Sequence, residues 1–153
     1  SGVDRRQVEV AALAAGAHGV ELGGGSLPTD VARSLAPHLL IGRSVHDVAH
    51  AAESASAGAN LLVVGTMFAT RSHPGMTPSG PSLVRKISAL TTLPLVGIGG
   101  ITANNATQVI AAGAAGVAVI RTISQAPDPK DAAARLAAAV HEAWPTAPLH
   151  RRH

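Results

Sequence analysis

Apolar and polar positions alternate along the chain in blocks that predict strands and helices in turn. Short, almost entirely apolar runs predict five buried strands, at 18–22, 38–42, 60–65, 93–99 and 116–120. Longer stretches with apolar residues at helical spacing predict six helices, at 4–16, 28–37, 45–58, 81–91, 102–113 and 128–144. Strands that are apolar on both faces are typical of a parallel sheet covered by helices.

A repeated unit in the sequence supports this architecture. The segments AGAHGVEL, AGANLLVV and AGAAGVAVI begin at residues 15, 57 and 112, and each runs from a helix end through glycine into a strand. Repetition of one βα unit predicts an α/β fold, either an open doubly wound sheet or the TIM (β/α)8-barrel type. No G-x-G-x-x-G motif follows a strand, which argues against a dinucleotide-binding fold.

The amino-acid composition excludes several classes of protein. Hydrophobic residues make up 46% of the chain and charged residues 14%, which excludes a disordered chain. There is no cysteine for a disulfide or a thiolate site, and two aromatic residues cannot form a stacking surface for nucleic-acid bases. No apolar run reaches the ~20 residues that span a bilayer. We therefore expect a cytoplasmic protein without nucleic-acid or membrane partners, with one domain over 1–145 and a basic tail over 146–153.

Two glycines mark a candidate phosphate site. Gly99 and Gly100 come where the fourth predicted strand ends, and Thr102 is a suitable N-cap for the helix that follows. Glycines and free amides at a helix start favour an anion. Ile120 and Arg121, after the last strand, would supply a second group of amides, as in barrels that bind phosphate after their last two strands. The alternative is that the two glycines only make a tight turn.

A long connection follows the third predicted strand. Its fifteen residues, 66–80, exceed the usual length of a βα loop, which predicts a lid or a substrate loop. Thr70, Ser72 and His73 could close over an anionic group. An ordinary surface loop is the alternative.

The segments NLLVVGTMFAT, HPG, SGPSLVRKIS and LPLVGIGGITANNATQVIAAGAAGVAVI together resemble the C-terminal half of the thiamine phosphate synthase and TenI superfamily. The resemblance covers about residues 10–143. It implies a (β/α)8 barrel of which this chain holds about five C-terminal βα units, a phosphorylated thiazole ligand and a role in thiamin biosynthesis.

The superfamily has two main activities. The synthase joins a pyrimidine pyrophosphate to thiazole phosphate with Mg²⁺ held by two aspartates, whereas the tautomerase moves a proton on a carboxylated thiazole phosphate without metal. Asp4 is the only candidate for the first aspartate, Ser26 stands where the second is expected, and His73 replaces a lysine of the long loop. Serine is a poor Mg²⁺ ligand. We therefore expect a thiazole tautomerase, with no metal ligands and no cofactor, and Mg²⁺ only if the chain is a synthase.

The stretch PHLLIGRSVHD resembles the tautomerase more closely, and the resemblance makes His46 the general acid and base. Imidazole titrates near neutrality, which suits both roles. His46 could equally cap the helix it precedes. Glu21 is a second candidate catalytic residue, which could act as a base, orient a substrate group or repel a substrate carboxylate. Arg43 could bind that carboxylate or pair with Glu21, and Arg121 could add charge to the phosphate site or crowd it.

The length raises a further question. Five strands leave three of a barrel's eight unaccounted for, and their absence would leave open sheet edges. We expect a part of a longer protein, or strands supplied by a partner chain in a homo-oligomer. A non-catalytic module that binds thiazole phosphate, and a different phosphate-binding barrel such as a sugar-phosphate isomerase, remain alternatives.

Overall fold

The computed structural model describes residues 11–12, 14–70, 75 and 77–144. Its sheet has five parallel strands that pair in chain order, each with the next. They are β1 (Gly19–Leu22), β2 (Leu40–Val45), β3 (Leu61–Val64), β4 (Leu95–Ile98) and β5 (Gly116–Ala118). The five predicted strands are confirmed, because each overlaps one of the apolar runs.

Helices connect the strands and cover one face of the sheet. They are α1 (Thr29–Leu35), α2 (Val48–Ser56), α3 (Gly80–Ser88), α4 (Ala106–Ala111), α5 (Arg121–Ser124) and α6 (Pro129–Ala143). Residues 11, 12 and 14 are also helical, and they belong to the first predicted helix, 4–16. The sequence did not predict α5. The predicted basic tail, 146–153, lies outside the described residues.

The strand order decides between the two architectures that the sequence left open. An open doubly wound sheet reverses its strand order at one point, whereas the strands of a (β/α)8 barrel follow one another around the barrel. Here the order runs from β1 to β5 without reversal. The described part of the chain is therefore a partial (β/α)8 barrel, as predicted.

The core lies between the sheet and the helices. Side chains that leave β2, β3 and β4 toward the helices are buried, among them Val45, Leu62, Val64 and Leu95. They pack with apolar side chains of α3 and α4, which include Leu83, Val84, Ile87, Val109 and Ile110. Full burial of such a side chain contributes about 1.5–3 kcal/mol. A smaller cluster joins Leu22 and Ile41 to Ala32 of α1.

The side chain of Arg33 connects the amino-terminal ends of β2 and β3 through hydrogen bonds. The Arg33 guanidinium donates to the carbonyl oxygens of Gly58, Pro37 and Leu39 at 2.8–3.2 Å, and to the side chain of Asn60. These ends lie opposite the face where barrels of this type carry their active sites. No described helix is long and apolar enough to cross a membrane.

Candidate functional site

His46 lies at the carboxyl end of β2, immediately after Val45. Its Nδ1 lies 2.8 Å from the carbonyl oxygen of Gly65, which follows β3. Because a carbonyl oxygen only accepts, Nδ1 must donate, so the neutral ring carries its free lone pair on Nε2. The backbone contact fixes the ring orientation and leaves one nitrogen able to accept a proton. Asp47, not His46, caps α2, since its side chain accepts from the amide of His50.

Glu21 faces the interior of the barrel. Its Oε1 accepts a hydrogen bond of 2.8 Å from the hydroxyl of Ser44, on the neighbouring strand. Its Oε2 occupies space that a side chain at Gly42 would need, because a Cβ there would lie 2.1 Å from this oxygen. Since Ser44 and His46 are two residues apart, they lie on the same face of β2. The structure therefore brings Glu21, Ser44 and His46 onto one inward-facing surface.

Burial raises the pKa of the Glu21 carboxyl above its ordinary value. The hydrogen bond from Ser44 and the positive charge of Arg43 oppose this rise without cancelling it. Desolvation therefore has the largest effect on the pKa of this carboxyl. The Glu21 side chain nevertheless stays accessible from the inward face.

Arg43 does not join this surface. It alternates with Ser44 along β2, so its side chain leaves the strand on the helix-facing side. There its Nη1 donates to the carbonyl oxygen of Leu27 at 3.0 Å, while its buried Nε has no hydrogen-bond partner. Among the described residues the recorded ion pair is Arg135 with Asp131, not Arg43 with Glu21. Arg43 and Glu21 thus form no direct ion pair among the described residues, although the charge of Arg43 still acts on the Glu21 carboxyl. The alternative role of Arg43, binding a substrate carboxylate, stays a prediction.

The turn after β4 is packed tightly against the segment after β3. Gly99 and Gly100 have φ values of +99° and +63°, which favour glycine. A Cβ on Gly99 would lie 2.6 Å from a methyl group of Thr66, and one on Gly100 would lie 2.6 Å from the carbonyl oxygen of Ala69. The amide of Phe68 donates to the carbonyl of Gly99 at 2.9 Å. A tight turn and close packing therefore require both glycines, whether or not they also bind phosphate.

Asn105 holds this turn, and sequence reasoning missed it. Its Oδ1 accepts from the amide of Thr102 at 2.8 Å, and its Nδ2 donates to the carbonyl of Gly100 at 3.1 Å. The helix begins at Ala106, so the prediction that Thr102 caps it is wrong. Asparagine before a helix is a strong start signal, and it could have located this residue.

A second loop, after β5, leads into α5 and contacts the first. The hydroxyl of Thr122 donates to the carbonyl of Ile101, which joins the two loops. Ile120 is 67% exposed at the start of α5. The Nε of Arg121 donates to the side-chain oxygen of Gln125 on the same helix at 3.0 Å, so this hydrogen bond of Arg121 lies within α5.

The long loop is only partly described. Thr70 is half-buried, whereas Ser72 and His73 lie outside the described residues. The amide of Ser79 donates to the carbonyl of Thr66 at 2.9 Å, which connects the end of the loop to its beginning. The loop therefore starts and ends beside the turn of Gly99 and Gly100.

Of the two positions where the family resemblance places the Mg²⁺-binding aspartates of a synthase, the described residues include one, Ser26. Ser26 stands where a second aspartate is expected, and its hydroxyl oxygen accepts from the amide of Gly23 at 3.1 Å. One carboxylate oxygen of Glu21 accepts a hydrogen bond from the hydroxyl of Ser44. No group of three or more His, Asp or Glu side chains that could hold a metal occurs in the described ranges. Asp4, the other candidate ligand, lies outside them.

Comparison with known proteins places these observations in a family. The family model described as thiamine monophosphate synthase matches residues 6–123. A thiamine-phosphate synthase of Haloarcula marismortui is 48% identical over 136 residues, which are 86% of this chain and 64% of that protein. A thiamine-phosphate synthase of Natronomonas pharaonis is 44% identical over 138 residues, 88% of this chain and 64% of that protein. The chain thus spans less than two thirds of the length of these relatives.

One solved structure supports the same family assignment. A thiamine phosphate pyrophosphorylase from Pyrococcus furiosus superposes with a TM-score of 0.80 at 37% identity, covering 88% of this chain and 65% of that one. These relatives carry the synthase name, so they do not support the expectation of a closer similarity to the tautomerase. The family match covers most of the chain, and the partial barrel agrees with it: the chain belongs to the thiamine monophosphate synthase family.

Proposed function

We propose that this chain forms the thiazole-phosphate-binding part of a thiamine-phosphate synthase. Its similarity to the Haloarcula synthase, 48% identity over 136 residues, carries this proposal. The reaction implied by the family is a transfer, in which the thiazole nitrogen of thiazole phosphate displaces pyrophosphate from a pyrimidine. The relatives that carry the synthase name support this activity better than the tautomerase.

The loops after β4 and β5 are the proposed phosphate site. Gly99 and Gly100 present backbone without side chains, and the contact from Thr122 to Ile101 holds the second loop beside the first. Barrels of this type frequently bind phosphate at the loops after their last two strands, beside a short additional helix. α5 is such a helix in sequence position. Ile120 and Arg121 belong to the same proposed site, and so does Thr70 in the described part of the long loop. Ser72 and His73 were predicted to join them and lie outside the described residues.

A tautomerase is the second candidate, and Ser26 favours it. The Ser26 hydroxyl is used within the turn after β1, at the position where the family resemblance places the second Mg²⁺-binding aspartate of a synthase. In this reaction His46, oriented by Gly65, would take a proton at Nε2 from one ring position and return it at another. No step in this transfer needs a metal.

Two assays on the full-length protein distinguish these candidates. The first follows thiamine phosphate formation from the pyrimidine pyrophosphate and thiazole phosphate, with Mg²⁺ present. The second follows aromatisation of the carboxylated thiazole phosphate in the presence of a chelator. Product in the first assay alone supports the synthase, and product in the second alone supports the tautomerase. Binding of thiazole phosphate with neither product contradicts both activities and supports a binding module.

We predict that His46→Ala lowers kcat about 10²- to 10⁴-fold in a tautomerase, because that range is the usual contribution of a positioned general acid and base. His38→Ala is the matched control, since His38 is exposed at the amino-terminal end of β2 and should leave kcat unchanged. Unimpaired aromatisation by His46→Ala would exclude this residue as the proton carrier.

A further inference from the structure

The carbonyl groups of the turn after β4 are all held from outside the turn. The carbonyl oxygens of residues 99–101 accept one hydrogen bond each, and the donors come from three separate segments. The amide of Phe68, in the loop after β3, donates to the first oxygen at 2.9 Å. Nδ2 of Asn105, immediately before α4, donates to the second at 3.1 Å, and the hydroxyl of Thr122, in α5, donates to the third.

The N–H groups of this turn therefore point away from these donors. In a trans peptide unit the carbonyl and the N–H of the next residue point in opposite directions, and the peptide bonds of this turn are trans. The carbonyl of Gly99 points to the loop after β3, so the N–H of Gly100 points to the other neighbour of β4, which is β5. The N–H of Ile101 likewise points away from Asn105. Neither N–H group donates to a described residue, so both remain for a ligand.

The two glycines alone do not fix this orientation. Glycine adopts many backbone conformations at little cost, so a turn that contains Gly99 and Gly100 can also rotate a carbonyl oxygen toward the ligand, where it would repel a phosphate. Asn105 opposes this rotation with both ends of one side-chain amide. Its Nδ2 donates to the carbonyl of Gly100, and its Oδ1 accepts from the amide of Thr102 at 2.8 Å. Asparagine is suited to this because its side chain combines a donor with an acceptor.

We propose that Asn105 is a positioning residue for the phosphate group, because it holds the peptide unit between Gly100 and Ile101 with its carbonyl turned away from the ligand and its N–H toward it. This inference rests on the proposed function, from which it takes the phosphate site. It applies to a synthase and to a tautomerase alike, because both act on a thiazole that carries a phosphate. N–H groups that are fixed before the ligand arrives lower the entropic cost of binding.

The test is calorimetric titration of the full-length protein with thiazole phosphate, at a temperature where circular dichroism shows each variant to be folded. Asn105→Ala should weaken binding about tenfold or more at an unchanged number of binding sites per chain. Asn105→Ser should weaken it similarly, because serine is a preferred N-cap for α4 but lacks the amide donor to Gly100. Asn104→Ala is the matched control, since Asn104 is exposed beside Asn105, and it should bind within about twofold of the wild type.

The phosphorus NMR resonance of the bound ligand separates positioning from an effect on folding. It reports on the N–H groups around the phosphate, so it should move in Asn105→Ser and stay in place in Asn104→Ala. Wild-type affinity in Asn105→Ser, or a loss of binding sites with an unmoved resonance, would overturn the role of Asn105 while leaving the phosphate site intact. Failure of the folded wild type to bind thiazole phosphate would instead overturn the phosphate site and, with it, this inference.

Discussion

Two neighbouring residues of β2, Ser44 and Arg43, place their side chains on opposite faces of the sheet. Ser44 points inward to Glu21, and Arg43, one residue earlier, points outward to Leu27. The sequence predicted a strand that ends at residue 42, which would have left Arg43 free in a loop at the mouth. Pairing with β1 and β3 instead extends the strand to Val45, and the pleat then fixes which face each side chain takes.

The raised pKa of Glu21 predicts a pH-dependent contribution to stability. The ordinary pKa of this carboxyl is about 4.5, and burial raises the pKa in the folded state, so the folded state binds its proton more tightly than the unfolded chain. This contribution is fully present below the unfolded pKa and is lost as pH rises through the folded pKa. Relative to Glu21→Gln, the wild type should therefore lose stability as pH rises above about 4.5.

Urea unfolding of both proteins at a series of pH values measures this difference. The groups that act on the carboxyl are Ser44 and Arg43, and neither is removed in the comparison. A stability difference that stays constant with pH, or that changes in the wild type's favour as pH rises, would contradict the prediction.

Gly100 gives a second prediction at the scale of one residue. Gly100→Ala should lower the free energy of unfolding by about 2 kcal/mol, because a positive φ is strained and a Cβ would meet two carbonyl oxygens. A Cβ on Gly24 would meet no atom within 4 Å, so Gly24→Ala is the control and should stay within about 1 kcal/mol of the wild type. Equal stability of the two variants would show that the turn relaxes.

At the scale of elements, the loops after β3, β4 and β5 form one connected unit. Backbone hydrogen bonds join the first two loops, from Met67 to Ile98 and from Phe68 to Gly99, and Thr122 joins the third to Ile101. Asn105 fixes the middle loop from within. A ligand at these loops would therefore meet a surface whose shape is set before binding, which lowers the entropic cost of binding.

The opposite end of the strands is held by Arg33, and this predicts a stability effect without an effect on ligand binding. Arg33→Met should lower the free energy of unfolding by about 2–3 kcal/mol, because the carbonyls of Gly58 and Leu39 lose a charged donor. Arg85→Met, on the exposed side of α3, should change it by less than about 0.5 kcal/mol. Thermal or urea unfolding of the two variants measures both values, and similar losses would refute a special role for Arg33.

For the whole molecule, the inward face of the sheet is covered less completely than the face that packs against the helices. Side chains on this face of β3 and β4, such as Leu61, Val63 and Val96, are only half-buried in the described chain, whereas the helix-facing side chains are fully buried. The relatives are longer than the segment that matches this chain. Ligand binding and activity are therefore measured on the full-length protein.

The sequence by itself determined the order of strands and helices, because the five apolar runs and the repeated helix–glycine–strand unit depend on local pattern alone. It also located Gly99 and Gly100 at a strand end, since these positions follow from the element boundaries, whereas it placed His46 in the helix 45–58 and not at the end of β2. Only the tertiary structure decided that Arg43 leaves the inward face, that Asn105 rather than Thr102 holds the turn, and that Arg33 links segments 25 residues apart. Side-chain direction in a strand depends on register with its neighbours, and hydrogen bonds between distant segments depend on packing, so neither could be predicted from local pattern.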